Sequence, residues 1–127
     1  MASVIVPCFN QLEFTRQCVR ALGRHTRAPW ELIAVDNGST DGTREYLAGV
    51  QDGSAVPATV ITNATNLGFP AAINQGLSVA KGEYLVLLNN DAVVTEGWLD
   101  QLVALLEQTR IEPEHTQNDR RQCIDGF

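Results

Sequence analysis

The residues of this chain best suited to chemistry lie in a polar stretch that follows an apolar run. Residues 35–43 read Val-Asp-Asn-Gly-Ser-Thr-Asp-Gly-Thr, and their first residue is the last of the apolar run 32–35. Asp36, Asn37 and Asp41 therefore lie where a buried strand is expected to end. Ligands of open α/β sheets bind outside the carboxyl ends of the strands, which makes this stretch a candidate site. The alternative is that the same residues only form a turn and cap the next helix.

A second polar stretch, Asn89-Asn90-Asp91, follows the most apolar run, residues 84–88. The Asp91 carboxylate with its flanking amides is a suitable partial shell for Mg²⁺ or Mn²⁺. Phosphates of a substrate and water would complete the coordination of the cation. A structural turn in which Asp91 accepts backbone hydrogen bonds explains the triplet equally well. The triplet alone leaves both interpretations open.

The elements that must position these residues alternate between strands and helices. Short apolar runs at residues 4–6, 32–35, 59–62 and 84–88 predict four strands buried on both faces. The segments between and after them have helical spacing. We therefore predict an α/β fold that is Rossmann-like and doubly wound, with a mainly parallel sheet of about four strands and helices on both faces.

Two local expectations follow from this pattern. Asn10, with Glu13 three residues on, resembles a capping box and is expected to cap the first helix. Residues 1–109 are expected to form one domain, and residues 110–127 a polar tail that is disordered or extended, because a polar, aperiodic segment interrupted by Pro113 can bury little apolar surface.

Composition excludes several function classes. The net charge of -6 argues against binding to a nucleic-acid backbone. The turn after the first strand has neither a Gly-x-Gly-x-x-Gly nor a Walker-type Gly-Lys-Ser/Thr, which argues against a dinucleotide-dependent dehydrogenase and a P-loop enzyme. Three widely spaced cysteines without a Cys-x-x-Cys pair suggest neither a disulfide framework nor a zinc site. No apolar run is long enough to span a bilayer, and the N-terminus lacks a secretory pattern, so a cytoplasmic location is the default expectation.

Four motifs in order resemble family 2 glycosyltransferases. They lie at residues 4–10, 35–43, 66–76 and 82–91, and the resemblance covers about residues 2–108. It implies the A-type nucleotide-diphospho-sugar transferase fold, here truncated, and an inverting mechanism with a nucleoside-diphosphate sugar as donor. The acceptor would be a saccharide or a lipid-linked glycan. Peripheral association with the inner face of a membrane and assembly into a homo-oligomer stay open.

Position by position, the resemblance implies a nucleotide-binding role for five residues. The backbone of Pro7 and the side chains of Asp36 and Asn37 would contact the base and ribose, and Asn66 and Gly68 would line the base pocket. An asparagine at position 37 is compatible with a UDP- or dTDP-linked donor.

The resemblance also implies a metal site at the family's Asp-x-Asp type motif. Asn90 and Asp91 occupy its positions, and Asp91 would hold Mg²⁺ or Mn²⁺ against the diphosphate, with Asn90 on the nucleotide sugar. Family members continue into an acceptor-binding half that supplies the general base, and no catalytic residue is assigned in this chain. We therefore expect either the donor-binding part of a glycosyltransferase or a catalytically incompetent binding module that needs another chain or that missing half.

Overall fold

The computed structural model describes residues 1–109 and the backbone of residues 122–125. Within these residues it has nine elements: β1 (Ala2–Cys8), α1 (Leu12–His25), β2 (Trp30–Asp36), α2 (Thr43–Gly53), β3 (Ala58–Thr62), α3 (Phe69–Val79), β4 (Tyr84–Leu87), α4 (Trp98–Thr109) and β5 (Gln122–Asp125). None of the helices in this described part is long and apolar enough to cross a membrane.

The strands form one parallel sheet in the order β3-β2-β1-β4-β5. The chain moves outward from β1 to β3 and then returns to place β4 on the other side of β1, so the strand order reverses between β1 and β4. In doubly wound folds this reversal opens a crevice at the carboxyl ends of the two strands. The predicted α/β architecture is confirmed.

The sheet has one strand more than the four apolar runs predicted. β5 lies in the segment expected to be a polar tail and pairs with β4, with Val86 opposite Ile124. The rest of that segment, residues 110–121 and 126–127, lies outside the described residues.

The two faces of the sheet pack against different helices. Val4 and Val6 of β1 belong to a buried cluster with residues of α1, α2 and α4, whereas Ile5 belongs to a cluster with residues of α3. This alternation follows from the two-residue period of a strand. α3 lies close to the sheet, because a Cβ added to Gly76 would be 2.5 Å from Cγ2 of Ile5.

The predicted cap of α1 is wrong. The helix begins at Leu12 after Gln11, whose own side chain makes no capping hydrogen bond, and both Asn10 and Gln11 have left-handed backbone angles, with φ of 52° and 60°. Oδ1 of Asn10 instead accepts a hydrogen bond from the Thr40 N–H at 2.8 Å. Asn10 therefore ties the loop after β1 to the loop after β2. The Asn10 side chain thus makes a hydrogen bond to a distant loop in place of the predicted capping box.

Candidate functional site

A cleft of about 290 Å³ lies at the carboxyl end of the sheet, where the strand order reverses. It brings together five of the seven predicted site residues. Its lining consists of residues at or after the carboxyl ends of β1, β2, β3 and β4: Pro7, Cys8, Phe9, Asn37, Asn66, Phe69, Asn89, Asn90 and Asp91. Segments far apart in the chain thus meet at one edge, as a parallel sheet requires.

The other two predicted residues, Asp36 and Gly68, lie beside the cleft and not in its lining. Asp36 is fully buried, and its Oδ1 accepts a hydrogen bond from the Ser39 N–H at 3.2 Å. Its Oδ2 has no hydrogen-bond partner among the described residues and lies 3.7 Å from Nε of Arg44. Asp36 thus shapes the turn after β2, and its contact with a nucleotide stays a prediction.

Asn37 joins the turn after β2 to the loop before α3. Its Oδ1 accepts hydrogen bonds from the Leu67 N–H at 2.9 Å and from Nδ2 of Asn63 at 3.2 Å, and its Nδ2 donates to the Gly68 carbonyl at 3.1 Å. These contacts leave Asn37 only 4% exposed. The two loops therefore form a single wall of the cleft.

The opposite wall carries the predicted metal-binding motif and is supported by α1. Nδ2 of Asn90 donates to Oγ1 of the buried Thr15 at 3.0 Å, and the Asn89 carbonyl lies 3.8 Å from Sγ of Cys18. Thr15 was not among the residues predicted from the sequence to form or support the site. A signal was present, because Thr15 is a polar residue on the same helical face as Cys18.

Burial keeps the two cysteines near the cleft protonated. It raises the pKa of Cys8 to about 12 and the pKa of Cys18 to about 12, and the negative charge of Asp91 adds to the effect on Cys18. Because the thiolate is the nucleophilic form, neither side chain is suited to covalent catalysis at neutral pH.

The donor set on this wall fits a hard divalent cation only in part. Asp91 is exposed and supplies one carboxylate, and Asn89 and Asn90 supply amide oxygens. In the described part of the chain no group of three or more His, Cys, Asp or Glu side chains is placed to hold a metal ion. Such a site suits Mg²⁺ or Mn²⁺ that takes most of its ligands from phosphate and water.

Two aromatic side chains, absent from the predicted site residues, stand at the cleft. Phe9 is 46% exposed and Phe69 is 51% exposed, although both line the cavity. An exposed aromatic ring at a cavity offers a flat face on which a base can stack. They give the cleft flat apolar surfaces next to its amides.

Solved glycosyltransferases share this fold. Mannosyltransferase PcManGT from Pyrobaculum calidifontis, in complex with GDP-Man and Mn²⁺, aligns with a TM-score of 0.77 and 25% identity over 83% of this chain and 32% of that chain. The S. aureus TarS 1-349 structure in complex with UDP-GlcNAc aligns with a TM-score of 0.74 and 21% identity over 93% of this chain and 38% of that chain. The fold is therefore the A-type fold of glycosyltransferases.

Sequence comparison defines the family. The model of Glycosyl transferase family 2 matches residues 3–116, so the chain belongs to glycosyltransferase family 2. Glycosyltransferase GlyG of Streptococcus pneumoniae is 32% identical over 110 residues, which are 85% of this chain and 36% of GlyG. Glycosyltransferase AglE of Haloferax volcanii is 30% identical over 113 residues, which are 87% of this chain and 36% of AglE. The chain thus spans little more than a third of the length of these relatives.

Proposed function

We propose that this chain is the donor-binding part of an inverting glycosyltransferase, which transfers a sugar from a nucleoside diphosphate to a saccharide or lipid-linked acceptor. The observation that carries the proposal is the cleft between β1 and β4. Its lining combines amides, one exposed carboxylate and two aromatic faces. That combination suits the base and the diphosphate of a nucleotide sugar, together with the cation that would accompany the diphosphate.

The nucleoside would bind along the wall formed by the loops after β1, β2 and β3. Here the Pro7 backbone and the side chains of Asn37 and Asn66 offer polar contacts, and Phe9 offers a stacking face. Asp36 and Gly68 lie beside the cleft and would support this wall. We favour UDP- or dTDP-linked donors.

The diphosphate would bind at the wall after β4. Asp91 would hold the divalent cation, with Asn90 held in place by Thr15. When bound, the cation supplies a positive charge that stabilises the nucleoside diphosphate as a leaving group. The protein would contribute the Asp91 carboxylate beside an Asn90 side chain that Thr15 already holds.

Transfer with inversion also needs a general base on the side opposite the leaving group. The one carboxylate in the described lining, Asp91, is committed to the cation in this proposal. The base would therefore come from outside the cleft. A binding module that is catalytically incompetent until another chain or segment completes it is the alternative.

A titration of UDP-, dTDP- and GDP-sugars with and without Mn²⁺ tests the proposal. We expect Mn²⁺-dependent binding of the pyrimidine nucleotides. Asp91→Asn should weaken that binding at least about tenfold, because it removes the cation's carboxylate ligand. The matched control is Asp100→Asn, an exposed residue on α4, which should bind like the wild type.

Two outcomes would contradict this account. Failure of every nucleotide to bind would remove the donor-binding function. Sugar transfer by the 127-residue chain at a rate typical of an enzyme, measured with radiolabelled donor and saccharide acceptors, would refute the donor-binding-only version.

A further inference from the structure

The backbone fixes which way round the amide of Asn37 lies. The Leu67 N–H can only donate and the Gly68 carbonyl can only accept, and they contact Oδ1 and Nδ2 of Asn37 at 2.9 and 3.1 Å. A flipped amide would place nitrogen against the N–H and oxygen against the carbonyl. Both contacts would then be lost, so the orientation follows from groups whose polarity cannot change.

Two side chains behind Asn37 reinforce that orientation. Oδ1 of Asn37 also accepts from Nδ2 of Asn63 at 3.2 Å, and Nδ2 of Asn63 donates to Oε1 of Gln75 at 2.8 Å. Nε2 of Gln75 returns a hydrogen bond to Oδ1 of Asn63 at 2.8 Å. Each amide of this chain of hydrogen bonds is thus held in one orientation, and Asn63 and Gln75 add to the hold that the backbone has on Asn37.

These contacts occupy the oxygen of Asn37 but not all of its nitrogen. Oδ1 accepts two hydrogen bonds, whereas Nδ2 donates one of its two hydrogens, to Gly68. The hydrogen bonds of the described residues supply no acceptor for the second hydrogen. Asn37 also lines the cleft, so a ligand is the natural acceptor.

We propose that Asn63 and Gln75 are positioning residues, which hold Asn37 so that it offers an N–H donor to the nucleobase. The site would then select a base with a keto oxygen at the contacted edge, as in uracil or thymine. Cytosine carries an amino group where uracil carries O4, and would oppose one donor with another. The inference rests on the proposed nucleotide-binding function and specifies its base.

Calorimetric titration of the 127-residue chain with UDP and with CDP, both in the presence of Mn²⁺, tests the inference. We expect UDP to bind at least about tenfold more tightly than CDP, because the opposed donors in the CDP complex lose their hydrogen bonds. The ratio of the two affinities is the useful readout. A merely structural role would change both affinities together and leave their ratio unaltered.

Two variants replace the amide N–H donor of a supporting side chain, Asn63 or Gln75, by a carboxylate oxygen. Asn63→Asp places a carboxylate oxygen against Oδ1 of Asn37, and Gln75→Glu places one against Oδ1 of Asn63. Both should move the UDP-to-CDP ratio towards unity. Asn74→Asp and Gln108→Glu make the same chemical changes at exposed positions outside the network and should keep the wild-type ratio.

The outcomes separate this inference from the proposed function. If the wild type binds neither nucleotide, both fail. If UDP and CDP bind equally well, or if the ratio is unchanged in both network variants, the inference fails while nucleotide binding stands. Asn63 is buried and its variant can fail to fold, in which case Gln75→Glu decides, because Gln75 is only half-buried.

Discussion

Individual polar side chains at the carboxyl edge of the sheet differ in how much of their hydrogen-bonding capacity the fold already uses. Asp36 is fully buried and supports its own turn, whereas Asp91 is exposed in the cleft. Asn37 is intermediate, since it closes a wall while one of its two Nδ2 hydrogens has no acceptor among the described residues. A position directly after a strand therefore predicts that a residue belongs to the site, and the hydrogen bonds of that residue show what it does there.

Strand ends and the family resemblance together predicted Pro7, Asn37, Asn66, Asn90 and Asp91 as site residues, and the structure brings these five to one cleft. They did not predict the supporting residues. Thr15 contacts Asn90 across 75 positions in the chain, and Asn63 is paired with Gln75 on a different element. Such pairings depend on how helices pack against the sheet, which no local pattern records.

The buried thiols give a prediction at this scale. Because burial raises the pKa of Cys8 and of Cys18 to about 12, almost no thiolate forms near pH 8. Iodoacetamide should leave both residues unmodified in the native protein and alkylate both in denaturant, as read by peptide mass spectrometry. Rapid alkylation of either residue in the native protein would show that the thiols are accessible and ionised.

Among the elements, the loops at the carboxyl edge are held together by direct contact. A Cβ added to Gly38 would lie 2.7 Å from the carbonyl carbon of Thr65, and Gly38 has a φ of +86°. The turn after β2 and the loop before α3 can therefore meet only if residue 38 has no side chain. This contact places Asn66 at the cleft.

Gly38→Ala should destabilise the protein by about 2 kcal/mol or more, through a strained φ and a backbone clash. Gly49→Ala is the control, because a Cβ there meets nothing within 4 Å. Since Gly49 lies inside α2, its replacement should stabilise by about 0.5–1 kcal/mol. Urea unfolding measures both, and equal effects of the two substitutions would contradict the close contact.

Asp41 links the starts of two helices, and one of them is the next helix that the alternative interpretation of this turn expected it to cap. Its Oδ1 accepts hydrogen bonds from the hydroxyl and N–H of Thr43, at the start of α2, and its Oδ2 accepts one from the Leu12 N–H, at the start of α1. The Thr43 hydroxyl is the largest cause that lowers the pKa of Asp41, and the two backbone N–H groups add to it.

This lowered pKa makes the link sensitive to acid. The stabilisation of the folded protein by the Asp41 carboxylate is fully present above the pKa of about 3.9 that an aspartate has in the unfolded chain. It is lost as the pH falls through the lower pKa of Asp41 in the folded protein. Asp41→Asn should therefore unfold at lower urea than the wild type near neutral pH, and the difference should shrink in acid. A difference that grows in acid would contradict this sign. Asp52→Asn, an exposed residue of α2, is the control.

Element types were predictable because periodicity and apolar runs are local properties. Element ends were less so: β2 begins at Trp30, two residues before its apolar run, and α1 begins at Leu12 without the expected cap. β5 was not predicted, because its sequence Gln-Cys-Ile-Asp is too short and mixed to stand out. It forms a strand by pairing with β4.

For the whole molecule, the size of a cavity does not identify the site. A groove of about 590 Å³ between α1 and α2 is larger than the cleft of about 290 Å³. Its lining is mostly apolar, with Trp30, Leu32 and Val56 among its members. The cleft is favoured because it lies at the strand-order reversal and carries the polar groups.

Backbone amide chemical shifts of the 127-residue chain, recorded by NMR during titration with UDP and Mg²⁺, test this central claim most directly. We predict that the largest changes fall at the four strand ends that form the cleft, in residues 8–10, 36–39, 63–68 and 89–91. Changes centred on the groove between α1 and α2, or no changes at saturating UDP, would contradict the assignment of the cleft as the nucleotide site.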